Sequence, residues 1–188
     1  MIEKDSFKVF LANSGTDCEV PFLKKLKDLS DEVCPVVKDR RTGAEFPVLA
    51  ALVDHKLKEL DYKLAVSHEV EFIGYNHPDG KRTYLRSLCF VLQNAVRRIY
   101  PDKVLIINHS LPSGLYCTIC EKEPLEDGRR AVHELDDKAL AELKGEMRSI
   151  VSADLPFTKV KMEAAAAEEL FLANGQPDKA ALLKSLGM

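Results

Sequence analysis

The side chains that could do chemistry are few and scattered. Cys117-Thr118-Ile119-Cys120 is a Cys-x-x-Cys, but no second pair and no histidine at ligand spacing accompanies it. Zinc needs four ligands in a structural site, so one pair is a weak metal signal. A redox Cys-x-x-Cys opens a helix, where the dipole favours the thiolate. This one falls in an apolar strand, whose residues i and i+3 point to opposite faces. The five histidines are dispersed. His55 and His77 fall in turns. His109, just after an apolar strand, either lines a cleft of the second half or is a solvated loop residue. The densest positive group is Lys81, Arg82, Arg86, Arg97 and Arg98. It is either a solvated helix face or a surface for RNA or a phosphate. Lys38–Asp39 and Arg40–Arg41 fall in a loop and carry less weight. No Gly-x-x-x-x-Gly-Lys-Ser/Thr, Gly-x-Ser-x-Gly or Gly-x-Gly-x-x-Gly occurs, so no complete catalytic constellation emerges.

The element that must position these groups is the stretch Lys81 to Asp102. Tyr84, Leu85, Leu88, Val91, Leu92, Ala95, Val96 and Ile99 repeat at helical spacing and define a stripe to be buried. Pro101 ends it. Upstream, Phe7–Asn13 alternates and runs into Asn-Ser-Gly, and Asp17–Pro21 completes a hairpin. Leu23, Leu26, Leu29 and Val33 predict a helix. Cys34 to Pro47 reads as a loop. Leu49–Val53 and Leu57–Leu60 are strands around an Asp54-His55 turn, and Val70–Tyr75 is the last strand of this half. Downstream, Lys103–Asn108 and Leu115–Cys120 are strands around Pro112-Ser113-Gly114. Leu125–His133 is a connector. A helix runs from Asp136 to about Ala153, with acids at its start suiting its dipole. Thr158–Met162 is expected as a strand, Met162–Asn174 as a helix, and Asp178 to Leu186 as a last helix stopped by Gly187.

The totals exclude several classes. At 46% hydrophobic and 30% charged over 188 residues, the chain is a folded globular protein of one generous or two small domains. It has no apolar run long enough to span a bilayer and no basic-then-apolar leader, so a cytoplasmic, membrane-free protein is expected. Its odd number of cysteines, five, argues against a disulfide framework. The net charge of −3 gives no global attraction to nucleic acid, so any RNA contact needs a local patch.

Strand, strand, helix, then further strands is a β-grasp order, and residues 1–78 resemble a TGS domain, the ubiquitin-like module of threonyl-tRNA synthetases. The resemblance is carried by Ala50-Ala51-Leu52-Val53-Asp54-His55-Lys56-Leu57-Lys58-Glu59-Leu60 and Val70-Glu71-Phe72-Ile73, with Asp54-His55 in place of the usual Asn-Gly. Residues 79–188 resemble the second N-terminal domain of threonyl-tRNA synthetases, related to the alanyl-tRNA synthetase editing domain, and read as incomplete. Here the residues are Ala95-Val96-Arg97-Arg98-Ile99-Tyr100-Pro101-Asp102, Pro112-Ser113-Gly114-Leu115-Tyr116 and Asp154-Leu155-Pro156-Phe157. The fold class implied is α+β, a β-grasp followed by a mixed α/β domain.

That editing family carries His-x-x-x-His on the central helix, two imidazoles on one face of one site, with a Cys-x-x-x-His farther on. The positions here are Arg86 and Phe90. A guanidinium has no lone pair for a metal and a phenyl ring no donor atom. Arg86 could instead hold an anion and Phe90 stack on a base, or both could simply pack where a site has decayed. The same pair of modules with lost histidines resembles the leading region of a bacterial uridine kinase family. That resemblance implies a regulatory front end without catalysis or metal, sensing nucleotide or RNA through Lys81, Arg82, Arg86, Phe90, Arg97, Arg98 and His109. ATP and magnesium would belong only to a following kinase domain. The alternative is a threonyl-tRNA synthetase fragment, with editing hydrolysis of mischarged tRNA resting on His109. The alanine-rich helix offers a third role, as a surface for oligomers.

Overall fold

The structure is a computed structural model that describes residues 6–112 and 114–185, the side chain of Asp178 excepted. Ser113 of the expected turn and the helix stop at Gly187 lie outside the described residues. The chain divides into two compact units, Met1–Ile150 and Val151–Met188. The larger unit holds two hydrophobic clusters.

The first cluster belongs to a five-stranded sheet, β1 (Ser6–Leu11), β2 (Thr16–Pro21), β5 (Ala50–Val53), β6 (Lys56–Lys58) and β7 (Glu69–Ile73), with helix α1 (Leu26–Val33) over it. The order is β2-β1-β7-β5-β6, with β1 and β7 parallel and the other pairs antiparallel. This is the β-grasp expected from the sequence. Alternation places Val9 and Leu11, Ala51 and Val53, and Val70 and Phe72 in one core, closed by Leu26 and Leu29 of α1. Each of the Val, Leu and Phe side chains, fully buried, contributes roughly 1.5–3 kcal/mol.

Two turns carry local detail. Asp54 and His55 both take positive φ, 47° and 62°. Left-handed backbone at both central positions is what a two-residue hairpin needs to match strand twist, and Asn-Gly normally supplies it. Asp54 is held by two bonds: its carboxylate accepts from the Glu69 N–H at 3.0 Å and pairs with His68 Nδ1 at 2.6 Å. Asn13, after β1, exchanges two hydrogen bonds with the backbone of Phe72, its Nδ2 donating at 2.9 Å and its Oδ1 accepting at 2.7 Å. It continues the β1–β7 pairing past the end of the strand.

The expected loop from Cys34 to Pro47 is instead a small hairpin, β3 (Val36–Lys38) with β4 (Glu45–Pro47). Asp39 organises its tip, accepting from the N–H groups of Arg41 and Thr42 and from the Thr42 hydroxyl at 2.8–3.0 Å. The same bonds, Thr42's first, hold the Asp39 carboxyl below the usual carboxylate range.

Helix α2 (Pro78–Ile99) begins as the sequence dictates. His77 caps it, accepting from the Asp79 N–H at 3.2 Å, and Pro78 opens the first turn. Its start is pinned by a contact between glycines. A Cβ on Gly80 would lie 1.9 Å from the Gly74 carbonyl oxygen. The helix covers a three-stranded antiparallel sheet, β8 (Lys103–Leu111), β9 (Gly114–Pro124) and β10 (Arg130–Val132), in the order β10-β9-β8. β10 falls within the expected connector. With α3 (Asp137–Ser152), these elements bury Ala95, Val96, Ile119, Leu143 and Ile150. Asp136 starts α3 by accepting from the Ala139 N–H at 2.7 Å.

The second unit contains α4 (Ala164–Ala173) and α5 (Pro177–Ser185), with Lys184 paired to Glu168 at 2.7 Å. The strand expected over Thr158–Met162 does not form; residues 155–163 have no regular structure. Thr158 and Val160 suit a strand, but the segment is not hydrogen-bonded into any of the described sheets, and a strand without a ladder does not form.

Candidate nucleic-acid interface

Six of the seven singled-out residues lie on α2. At about 100° per residue, Arg82, Arg86, Phe90 and Arg97 fall within an arc of about 80°, opposite Ala95, which is fully buried. All four are exposed, and Phe90 is 66% exposed. From Arg82 to Arg97 the stripe runs about 22 Å along the axis at 1.5 Å per residue. Lys81 and Arg98 project outside this arc, and His109 is carried by β8 instead.

The charges on the helix are unevenly spent. Arg82 pairs with Asp79 one turn back, and that bond holds the Asp79 carboxyl below its usual range. Arg98 reaches Glu146 of α3 at 2.7 Å. Among the described residues, Lys81, Arg86 and Arg97 make no ion pair. Two of the three, Arg86 and Arg97, belong to the stripe, about 16 Å apart along the axis. The arrangement can place permanent cations on two separate phosphates of one strand, with an aromatic ring between them.

His109 stacks on Tyr116 with ring centroids 5.1 Å apart, and no acid orients it among the described residues. The cleft of this half, about 670 Å³, has Leu92, Leu105, Tyr116, Leu140 and His133 in its walls, and His109 is not one of them. The histidine that reaches it, His133, packs against Tyr100 with centroids 5.0 Å apart. Cys117 and Cys120 lie on β9, half-buried and buried. Burial, with Cys89 nearby, pushes the Cys117 thiol up, away from the reactive thiolate. No group of three or more metal-ligating side chains occurs among the described residues. No described helix is long and apolar enough to cross a membrane.

Sequence reasoning gave little weight to Lys38 and Arg40. They line a cleft of about 490 Å³ beside the β3–β4 hairpin. No local signal marks this, because the cleft is assembled from three separate segments, residues 11–14, 33–40 and 71–78.

No protein-family model matches the chain. It is similar to curated proteins named threonine–tRNA ligase. With that of Desulforamulus reducens it shares 28% identity over 154 residues, 82% of this chain and 23% of the ligase. With that of Clostridium kluyveri it shares 25% over 179 residues, 95% of this chain and 25% of the ligase. With that of Natranaerobius thermophilus it shares 30% over 128 residues, 68% of this chain and 19% of the ligase. The chain thus spans about a quarter or less of the length of these relatives. These names overturn the expectation of a uridine kinase front end, the reading from which the kinase domain, ATP and magnesium were expected. That expectation rested on Arg86 and Phe90, whereas the similarity runs along most of the chain. The relatives of this chain are threonine–tRNA ligases, and the expected TGS and synthetase N-terminal resemblance has their support.

Proposed function

We propose that this chain is the tRNA-contacting front region of a threonine–tRNA ligase-like protein, residues 1–78 a TGS-like module and residues 79–188 an editing-like module. The observation that carries the reading is the similarity to proteins named threonine–tRNA ligase over up to 95% of the chain. The stripe Arg82, Arg86, Phe90 and Arg97 supplies the contact, its guanidinium groups on phosphates and its ring against a base. The reading is binding rather than hydrolysis. The two positions where the resembled family holds metal-binding histidines are occupied here by a permanent cation and a phenyl ring, and among the described residues His109 has no orienting partner of the kind a general base uses.

Fluorescence-anisotropy titration of labelled threonine tRNA over a series of salt concentrations tests this. Arg86→Ala and Arg97→Ala should each weaken binding and reduce the slope of log affinity against log salt by about one. Absence of binding at low salt, or a slope unmoved by both substitutions, would overturn the proposal.

A further inference from the structure

The β3–β4 hairpin does more than bridge α1 and β5. Together with the last turn of α1 and the end of β7 it encloses the cleft of about 490 Å³. That volume is in the range of small-molecule sites, roughly 300–1,000 Å³. Val33, Val36 and Ile73 contribute apolar wall. Lys38 and Arg40 bring two cations from the hairpin, against one carboxylate in the lining, Glu71.

The two cations are available. Among the described residues, Arg40 has no ion-pair or hydrogen-bond partner. Lys38 shares only Glu45, at 3.0 Å, in a pair exposed on both sides. Such a pair is worth little and exchanges readily for a better anion. Asp39 lies between them in sequence, but its carboxylate is committed to Arg41 and Thr42. Those bonds fix the tip of the hairpin, and so fix the backbone from which both cations extend.

We propose that this cleft binds a small phosphate-bearing molecule with a flat apolar body, of the class of a nucleoside monophosphate. The phosphate meets Lys38 and Arg40, a point charge and a planar fork that together match a dianion. The body lies against Val33 and Val36, the exposed apolar side chains of the lining. Lys38 and Arg40 between them match the charge of one phosphate dianion and leave no further permanent cation in the lining for a second or third phosphate, which sets the class at one phosphate. The site shares no residue with the α2 stripe and does not depend on tRNA binding.

Isothermal titration of the full 188-residue chain with adenosine 5′-monophosphate, adenosine and inorganic phosphate, each alone, tests the proposal. The monophosphate should bind, and each half-ligand should bind at least about tenfold more weakly. Lys38→Ala and Arg40→Ala should each cost about tenfold or more, the loss of one charge-assisted contact. Both side chains are exposed, so neither change threatens the fold. Arg86→Ala should leave the titration unchanged, which separates this site from the RNA-binding stripe. No binding of the monophosphate, equal binding of inorganic phosphate, or indifference to Arg40→Ala would overturn it.

Discussion

Gly80→Ala should destabilise the protein, although the same change in an ordinary exposed helix stabilises it. Alanine is favoured over glycine inside a helix by about 1 kcal/mol, because glycine loses more backbone freedom on folding. At position 80 that gain meets a wall. The new Cβ would lie 1.9 Å from the carbonyl oxygen of Gly74 and 2.7 Å from its carbonyl carbon. These are backbone atoms, so no rotamer change relieves the overlap. Nor can Gly74 retreat easily. A Cβ built on Gly74 would itself come within 2.9 Å of Phe46 Cβ and 3.0 Å of the Pro47 oxygen, so its surroundings are already filled. Overpacking of this kind costs about 1–3 kcal/mol, and severe backbone overlap belongs at the upper end. After the helix gain is subtracted, a net loss of about 1–2 kcal/mol remains. Urea unfolding followed by far-ultraviolet circular dichroism should show a lower midpoint with an unchanged slope. A midpoint equal to or above that of the parent would refute the reasoning, since it would mean that α2 can slide away from β7 without cost.

Other expectations follow from the β5–β6 turn. His55→Gly should raise stability by about 1 kcal/mol, because a non-glycine residue in the left-handed region costs about 1–2 kcal/mol and glycine does not pay it in the fold; thermal unfolding of the two chains side by side checks this. Asp54 makes stability depend on pH. Its folded pKa lies below the ordinary value, through the Glu69 N–H first and His68 second. Its contribution is therefore complete above an unfolded value of about 3.9 and lost as pH falls through the lower folded value. Denaturation of Asp54→Asn and the parent from pH 7 to pH 2 should show a gap that closes only below about pH 4; a gap constant to pH 2 would count against the role given to the carboxylate.

The elements legible in the sequence are those whose signal is local. The α2 stripe, the β1–β2 hairpin with its Asn-Ser-Gly turn, and the Asp54-His55 turn each announce themselves within a few residues. The β3–β4 hairpin does not. Its strands are three residues each, too short for alternation to show, and the segment reads by its prolines and charges as loop. Thr158–Met162 fails in the opposite direction: its residues favour a strand, but pairing is a tertiary property, and the segment joins none of the described sheets. For the site, density of charge in the sequence grouped Lys81, Arg82, Arg86, Arg97 and Arg98, without separating Lys81 and Arg98 from the face the others share. It did not show that Arg98 is spent on Glu146, forty-eight residues away, nor that Arg40 borders a cleft.

The two substitutions on α2 also show how unequal the evidence for activity and for ancestry is. A metal-binding histidine pair disappears with two changes, and either one suffices to remove the site, because a metal needs every ligand at once. A scaffold is specified by dozens of side chains, here from Val9 in the first core to Ile150 in the second, and no two changes erase it. Arg86 and Phe90 therefore testify about metal chemistry in this chain and say little about which proteins it descends from. Reading them as a sign of a kinase confused the two questions. The chain-long similarity to proteins named threonine–tRNA ligase bears on the second, and the proposed role of the helix, contact with RNA through cations and a ring, is one that needs no metal.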